Sequence, residues 1–230
     1  MPTATFTFRQ FAIRQDKTAM KAGTDGVLLG AWALSGVPAP PLIIDVGCGC
    51  GLIALMMAQR FPEARVTAVD IDAPSLADAR LNVAASPFAG RIALTEADFL
   101  SLQPFPRGTA FVCNPPFYTE DTLAPDLRRA AARNHRSLPL EALVEHTAGG
   151  SLSLVLPAAL EGELLASAHA AGLHLRRLCR VRTTERKPPK RILAELGAEA
   201  AEPQFSELVL TAPGGARSES YAALCREFYL

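Results

Sequence analysis

The residues of this 230-residue chain that can do chemistry gather at two points. The first is Asp45-Val46-Gly47-Cys48-Gly49-Cys50-Gly51, where an apolar run meets a helical pattern. Glycines at such a junction permit a tight turn and let a ligand approach the backbone, and a helix start offers free N–H groups. The spacing is G-x-G-x-G, not the G-x-G-x-x-G of dinucleotide sites, which predicts a ligand without a pyrophosphate. Asp70 stands 19 residues beyond Gly51, at the end of the next apolar run, where an acid accepts hydrogen bonds from ribose hydroxyls. Asp98 follows the third run and is suited to accept from an adenine amino group.

The second point is Asn114-Pro115-Pro116-Phe117, directly after a fourth apolar run. A planar NH2 group is a poor nucleophile because its lone pair is delocalised into the neighbouring π-system. An Asn side-chain oxygen and a Pro carbonyl, accepting from its two hydrogens, draw it toward tetrahedral geometry and localise the lone pair for attack. Proline lacks an N–H and fixes φ, so it holds that carbonyl without a competing donor. Phe117 adds a flat face on which a base can stack, worth ~1–3 kcal/mol. No strong base is needed, because proton loss can follow the transfer, and positioning carries most of the catalysis.

These residues need a scaffold that brings strand ends together. Pro41–Val46, Arg65–Val69, Arg91–Leu94, Thr109–Cys113 and Ser151–Leu156 read as buried strands. Leu52–Arg60, Pro74–Ala85, Leu138–Ala148 and Leu160–Ala171 read as helices between them. Leu173–Val181, Ile192–Leu196 and Leu208–Leu210 read as closing strands, with an antiparallel pair at the edge. The alternation predicts a mainly parallel sheet covered on both faces, with all the motifs at its carboxyl edge. Tyr118–Ser137 is long for a connection, a length that usually signals function or mobility.

Glycine loop, strand-end acids and element order together resemble class I S-adenosylmethionine methyltransferases. The resemblance implies a Rossmann-like fold with a seven-stranded, mostly parallel sheet, an antiparallel edge strand and helices on both faces. It implies S-adenosylmethionine as cofactor, S-adenosylhomocysteine as product and no metal. Gly47 and Gly49 would border the methionine moiety, Asp70 the ribose and Asp98 the adenine, with Asp45 and Asn114 as further cofactor-binding residues. Asn114–Phe117 resembles the Pro-Pro signature of amino-methyltransferases, with Asn114, Pro115, Pro116 and Phe117 as the catalytic set. The motif alone leaves adenine N6, guanine N2 of ribosomal RNA and a protein glutamine amide open as targets.

The outer segments are more specific. Phe6–Phe11, Lys21–Trp32, and the tail Ser218-Glu219-Ser220-Tyr221 with Glu227-Phe228-Tyr229-Leu230 are similar to bacterial tRNA (adenine-N6)-methyltransferases that modify the adenine beside the anticodon of a valine tRNA. That resemblance implies a tRNA partner and makes Thr24 and Asp25 further cofactor-binding candidates. Phe117, where many such enzymes carry Tyr, departs from the pattern. Gly23–Gly26 reads as a turn, with Thr24 or Asp25 capping a helix Val27–Leu34. Residues 1–36 form an N-terminal extension near the cofactor site of one methyltransferase domain spanning 1–230.

Lys and Arg total 23 against 23 Asp and Glu, so only local charge can reveal an RNA partner. Arg176, Arg177, Arg180, Arg182, Arg186, Lys187, Lys190 and Arg191 form one run; Arg128, Arg129, Arg133 and Arg136 form another. Arg186-Lys187-Pro188-Pro189-Lys190-Arg191 is the better candidate to follow a phosphate backbone, because prolines stiffen an exposed cationic loop. Arg128 and Arg129 are the candidates in the second run. Five cysteines without a Cys-x-x-Cys pair argue against zinc and for a reducing cytosol. No apolar run approaches ~18 residues, so the expectation is a cytoplasmic protein without a membrane span, with a monomer as the default.

Overall fold

The computed structural model describes residues 5–18, 21–35, 39–102, 104–115 and 138–229. A hairpin of β1 (Thr5–Thr7) and β2 (Ala12–Arg14) precedes α1 (Thr24–Trp32). Then come β3 (Leu42–Val46), α2 (Leu52–Arg60), β4 (Arg65–Asp70), α3 (Ala73–Ala84), β5 (Ile92–Glu96) and β6 (Ala110–Cys113). The second half holds α4 (Leu140–His146), β7 (Ser151–Pro157), α5 (Glu161–Ala170), β8 (His174–Arg182), β9 (Arg191–Gly197), β10 (Gln204–Val209) and α6 (Glu219–Leu224).

The main sheet has the order β10-β8-β9-β7-β6-β3-β4-β5. Among the described residues it has eight strands, one more than the seven that the family resemblance implies. The extra one is β10, of which the sequence pattern marked only the last residues. Its Gln204–Glu207 portion is exposed and lacks an apolar alternation. The antiparallel strand is β9, paired with β7 on one side and β8 on the other. It lies on the expected side of the sheet, two places in from the rim, because β10 adds in parallel outside β8.

Consecutive residues of the central strands feed different cores. Ile43, Val66, Val112 and Leu193 pack with α1, α2 and the tail. Ile44, Val69, Phe111 and Ala194 pack with α4 and α5. This two-sided burial is why the strands read as continuous apolar runs rather than as alternations.

Helix α1 begins earlier than expected, at Thr24, with Gly23 as its N-cap and no capping side chain. It packs on α2 through Gly30, where a Cβ would sit 2.4 Å from the Met56 sulfur. The expected turn at Gly23–Gly26 is thus the first turn of a helix. Gly26 serves close helix–helix approach rather than chain reversal, a Cβ there coming within 3.2 Å of the Leu52 side chain of α2.

The N-terminal segment is stapled to α3. Asp78 accepts from Lys17 N, Thr18 N and the Thr18 hydroxyl, each at 2.8 Å. Asn82 exchanges 2.8 Å bonds with Arg14 N and O and donates to Cys50 O at 2.9 Å. Among the described residues no helix is long and apolar enough to cross a membrane.

Candidate active site

The strand order fixes where a ligand can sit. Strands β4 and β6 flank β3, and their crossovers lie on opposite faces, leaving a crevice at the carboxyl ends. A cavity of about 320 Å³ occupies that crevice.

One wall is the glycine loop. Gly47, Gly49 and Gly51 have φ of 68°, 55° and 81°, the left-handed region open to glycine at little cost. The turn is tied to β4 by Gly47 N and Cys48 N, which donate to Val69 O at 2.9 and 3.0 Å. Gly49 N donates to the Asp70 carboxylate at 2.7 Å, and Asp72 N donates to its other oxygen at 2.9 Å. Asp70 is thus held rigidly with its acceptors partly used. Burial pushes its pKa up, against the lowering effect of these backbone bonds.

Behind the loop lies Asp45, fully buried. One carboxylate oxygen accepts from Ala54 N at 2.8 Å, and the other has no partner. Burial raises its pKa to about 7, opposed by the Ala54 bond and reinforced by the nearby Asp70 charge. The unpartnered oxygen is sealed from solvent, and Asp45 serves the loop by anchoring the first turn of α2 through Ala54 N. Asp45 itself does not reach the cavity wall.

Of the other expected cofactor residues, Gly47, Gly49, Asp70, Asp98 and Asn114 line the cavity, and Thr24 and Asp25 do not. Thr24 is exposed in the first turn of α1. Asp25 forms an ion pair with Arg191, the first residue of β9. Asp98 is exposed and accepts from Leu100 N at 3.0 Å, capping a short 3-10 turn.

Asn114 and Pro115 line the cavity at the end of β6. The Asn114 amide lies against Gly26 of α1, where a Cβ would come within 3.9 Å of Nδ2. Pro116, Phe117, Arg128 and Arg129 lie outside the described residues.

Sequence reasoning missed several wall residues. Ile71 is 57% exposed and lines the cavity beside Asp70. An apolar residue directly after a strand-end acid was the available signal. Thr18 and Lys21 also line it, but Thr18 is held there by Asp78, 60 residues away, which no local pattern encodes. Cys48 and Cys113 line it too, and burial pushes both thiols well above their ordinary range, so neither supplies a thiolate. Among the described residues no cluster of His, Cys, Asp or Glu is arranged to hold a metal.

The basic run divides. Arg177 pairs with buried Glu195 at 3.3 Å and stacks on Trp32 at 4.1 Å. Arg180 pairs with Glu161, Arg182 with Glu207, and Arg191 with Asp25. Arg191 is therefore an anchor rather than a free cation. Arg186, Lys187 and Lys190 are exposed in the β8–β9 loop. Because β8 runs with the parallel strands, this loop lies at the same carboxyl edge as the cavity.

The comparisons agree with this architecture. Residues 34–165 match the family described as "Methyltransferase small domain". A predicted O-methyltransferase of Agrobacterium tumefaciens shares the fold at a TM-score of 0.67, with 20% identity over 89% of this chain and 96% of that one. A glycopeptide N-methyltransferase solved with S-adenosylmethionine aligns at 0.52, with 15% identity over 76% of this chain and 95% of that one. The tRNA1(Val) (adenine(37)-N6)-methyltransferase of Vibrio cholerae serotype O1 (strain M66-2) is 41% identical over 98% of this chain and 95% of its own length. Its counterpart in Porphyromonas gingivalis (strain ATCC 33277) is 42% identical over 100% and 96%. With a class I methyltransferase fold and this identity over nearly its whole length, the chain belongs to the tRNA1(Val) (adenine(37)-N6)-methyltransferase family.

Proposed function

We propose that this protein transfers a methyl group from S-adenosylmethionine to the exocyclic N6 of an adenine in tRNA, adenine 37 of a valine tRNA. The observation that carries the reaction is the Asn114 amide in the wall of the cavity that also holds the glycine loop and Asp70. The near-full-length relatives carry the choice of adenine over guanine or glutamine.

S-adenosylmethionine, when bound, supplies an electrophilic methyl on a sulfonium sulfur and departs as S-adenosylhomocysteine. Gly47 and Gly49 give the backbone its close approach to it. Asp70 and Asp98 supply acceptors for ribose hydroxyls and the adenine amino group, and Ile71 supplies an apolar surface. Asn114 Oδ1 and the Pro115 carbonyl accept from the two hydrogens of the substrate amine and localise its lone pair. Phe117, outside the described residues, is assigned from the sequence motif alone as the stacking face for the base. The proton released from N6 leaves to water, so the site needs no strong base. Arg186, Lys187 and Lys190 supply phosphate contacts beside the site, giving salt-dependent binding.

The test is methyl transfer with tritiated S-adenosylmethionine, purified protein and total tRNA, followed by nucleoside analysis. Label in N6-methyladenosine of tRNA is the expected result. Label at guanine N2, in ribosomal RNA only, or in protein overturns the assignment.

A further inference from the structure

The tail that marks the family builds a second concavity. It measures about 380 Å³ and shares no lining residue with the cavity at the glycine loop. Arg9, Arg217, Arg226, Glu219, Cys225 and Tyr229 form part of its wall. Among the described residues none of these three arginines is in an ion pair. In a chain with 23 cations and 23 anions, three unpaired guanidiniums in one cleft are a local imbalance. Glu219 offsets only part of it.

The cleft is built, not a chance meeting of loose side chains. Arg9 N donates to Phe228 O at 2.9 Å and Arg9 Nε to Tyr229 O at 2.6 Å. The Arg217 guanidinium lies 3.9 Å from the centre of the Tyr229 ring. Tyr229 is held in turn by the Tyr221 hydroxyl at 3.2 Å, and Ser218 caps the helix that carries Tyr221. A guanidinium stacked on a ring keeps its N–H edge free, an arrangement that suits a planar fork on phosphate oxygens.

Position supplies the second argument. Thr211, which bridges to Arg217, donates through its N–H to Thr183 O at 3.0 Å. Thr183 begins the loop that carries Arg186, Lys187 and Lys190. Arg217 is thus connected through Thr211 to the start of the loop that carries the other exposed cations.

We propose that the Arg9–Arg217–Arg226 cleft holds a backbone phosphate of the substrate RNA away from the reacting base. The tRNA is thus held at two places, the basic loop and the tail. This rests on the tRNA reading above.

The experiment measures tRNA affinity against salt for three proteins: wild type, R217Q/R226Q and R226Q. Arg226 is exposed and makes no ring contact, so its variant keeps the test independent of the tyrosine stack. S-adenosylmethionine affinity and melting temperature report that each variant is folded. Each lost phosphate contact should flatten the log–log salt slope by roughly 0.7–0.9. The expected result is weaker tRNA binding with a shallower slope in both variants, and weaker competition by inorganic phosphate in the variants than in wild type at equal ionic strength. Wild-type affinity and slope in both folded variants would overturn the proposal, including if the cleft then proves to take an acidic protein segment. Failure of the tRNA reading shows separately, as wild-type protein that leaves no label in tRNA.

Discussion

At the residue scale, two groups carry predictions of different kinds. Asn114 lines the cavity at a strand end and touches no described part of the cofactor-side hydrogen-bond network. Replacing it with alanine should lower kcat by about 10²–10³-fold, the usual cost of losing one preorganised polar group. Calorimetric S-adenosylmethionine affinity should stay nearly unchanged; its loss would move Asn114 from the substrate side to the cofactor side. Asp45 predicts a pH dependence. Its folded pKa of about 7 lies above the ordinary 3.8. Between those values the folded state keeps a proton that the unfolded chain gives up, so its contribution to stability falls as pH rises and is lowest above 7. Asp70 is shifted in the same direction. The melting temperature of ligand-free Asp45→Asn should therefore vary less than wild type between about pH 5 and pH 8. Equal curves would mean that Asp45 is charged throughout.

At the element scale, the β8–β9 loop matters through its anchor. Arg191 at the head of β9 is tied to Asp25 in the first turn of α1, the turn whose Gly26 faces Asn114. Both side chains are about one-third exposed, so the pair is worth only ~0.2–1 kcal/mol. Its consequence is positional. Asp25→Ala and Arg191→Ala should each raise KM for tRNA, and the double variant should be no worse than either. Additive effects would show two independent roles. This part of the site was half legible beforehand. The cations and the proline-stiffened loop were visible in Arg186–Arg191. Which of them are free was not, because the neutralising acids Asp25, Glu161, Glu195 and Glu207 are distant in sequence or follow no local period. Helix α1 shows the same limit. Gly23, Thr24 and Asp25 are all common turn residues, and the packing of α1 on α2 through Gly26 and Gly30 is not written in that local pattern.

At the scale of the whole molecule, the two termini cooperate. Phe228 is 1% exposed and belongs to the same core as Phe8, Phe11 and Trp32. Phe8 stacks on Phe11 at 4.7 Å and on Tyr229 at 6.0 Å. Phe228→Ala should cost about 3–5 kcal/mol of unfolding free energy, the usual range for a buried Phe. Denaturant unfolding checks this; a loss below about 1 kcal/mol would show that the tail is only loosely attached. Strand β10 was largely hidden in the sequence. Its exposed residues give no period-2 signal, and its strand form is set by pairing with β8.

By itself the sequence determined the scaffold and which candidate residues stand at its carboxyl edge. Glycine loop, strand-end acids and Asn-Pro-Pro-Phe sit at fixed offsets from apolar runs, and a buried parallel strand is legible because both of its faces are dry. Tertiary structure decided three things. It set Thr18 against the cavity, turned Asp25 and Arg191 from ligand contacts into a latch, and gathered Arg9, Arg217 and Arg226 into one cleft. Each of these depends on which residues meet across long stretches of chain. Charge and hydrogen bonding act through space, so local spacing carries no record of them.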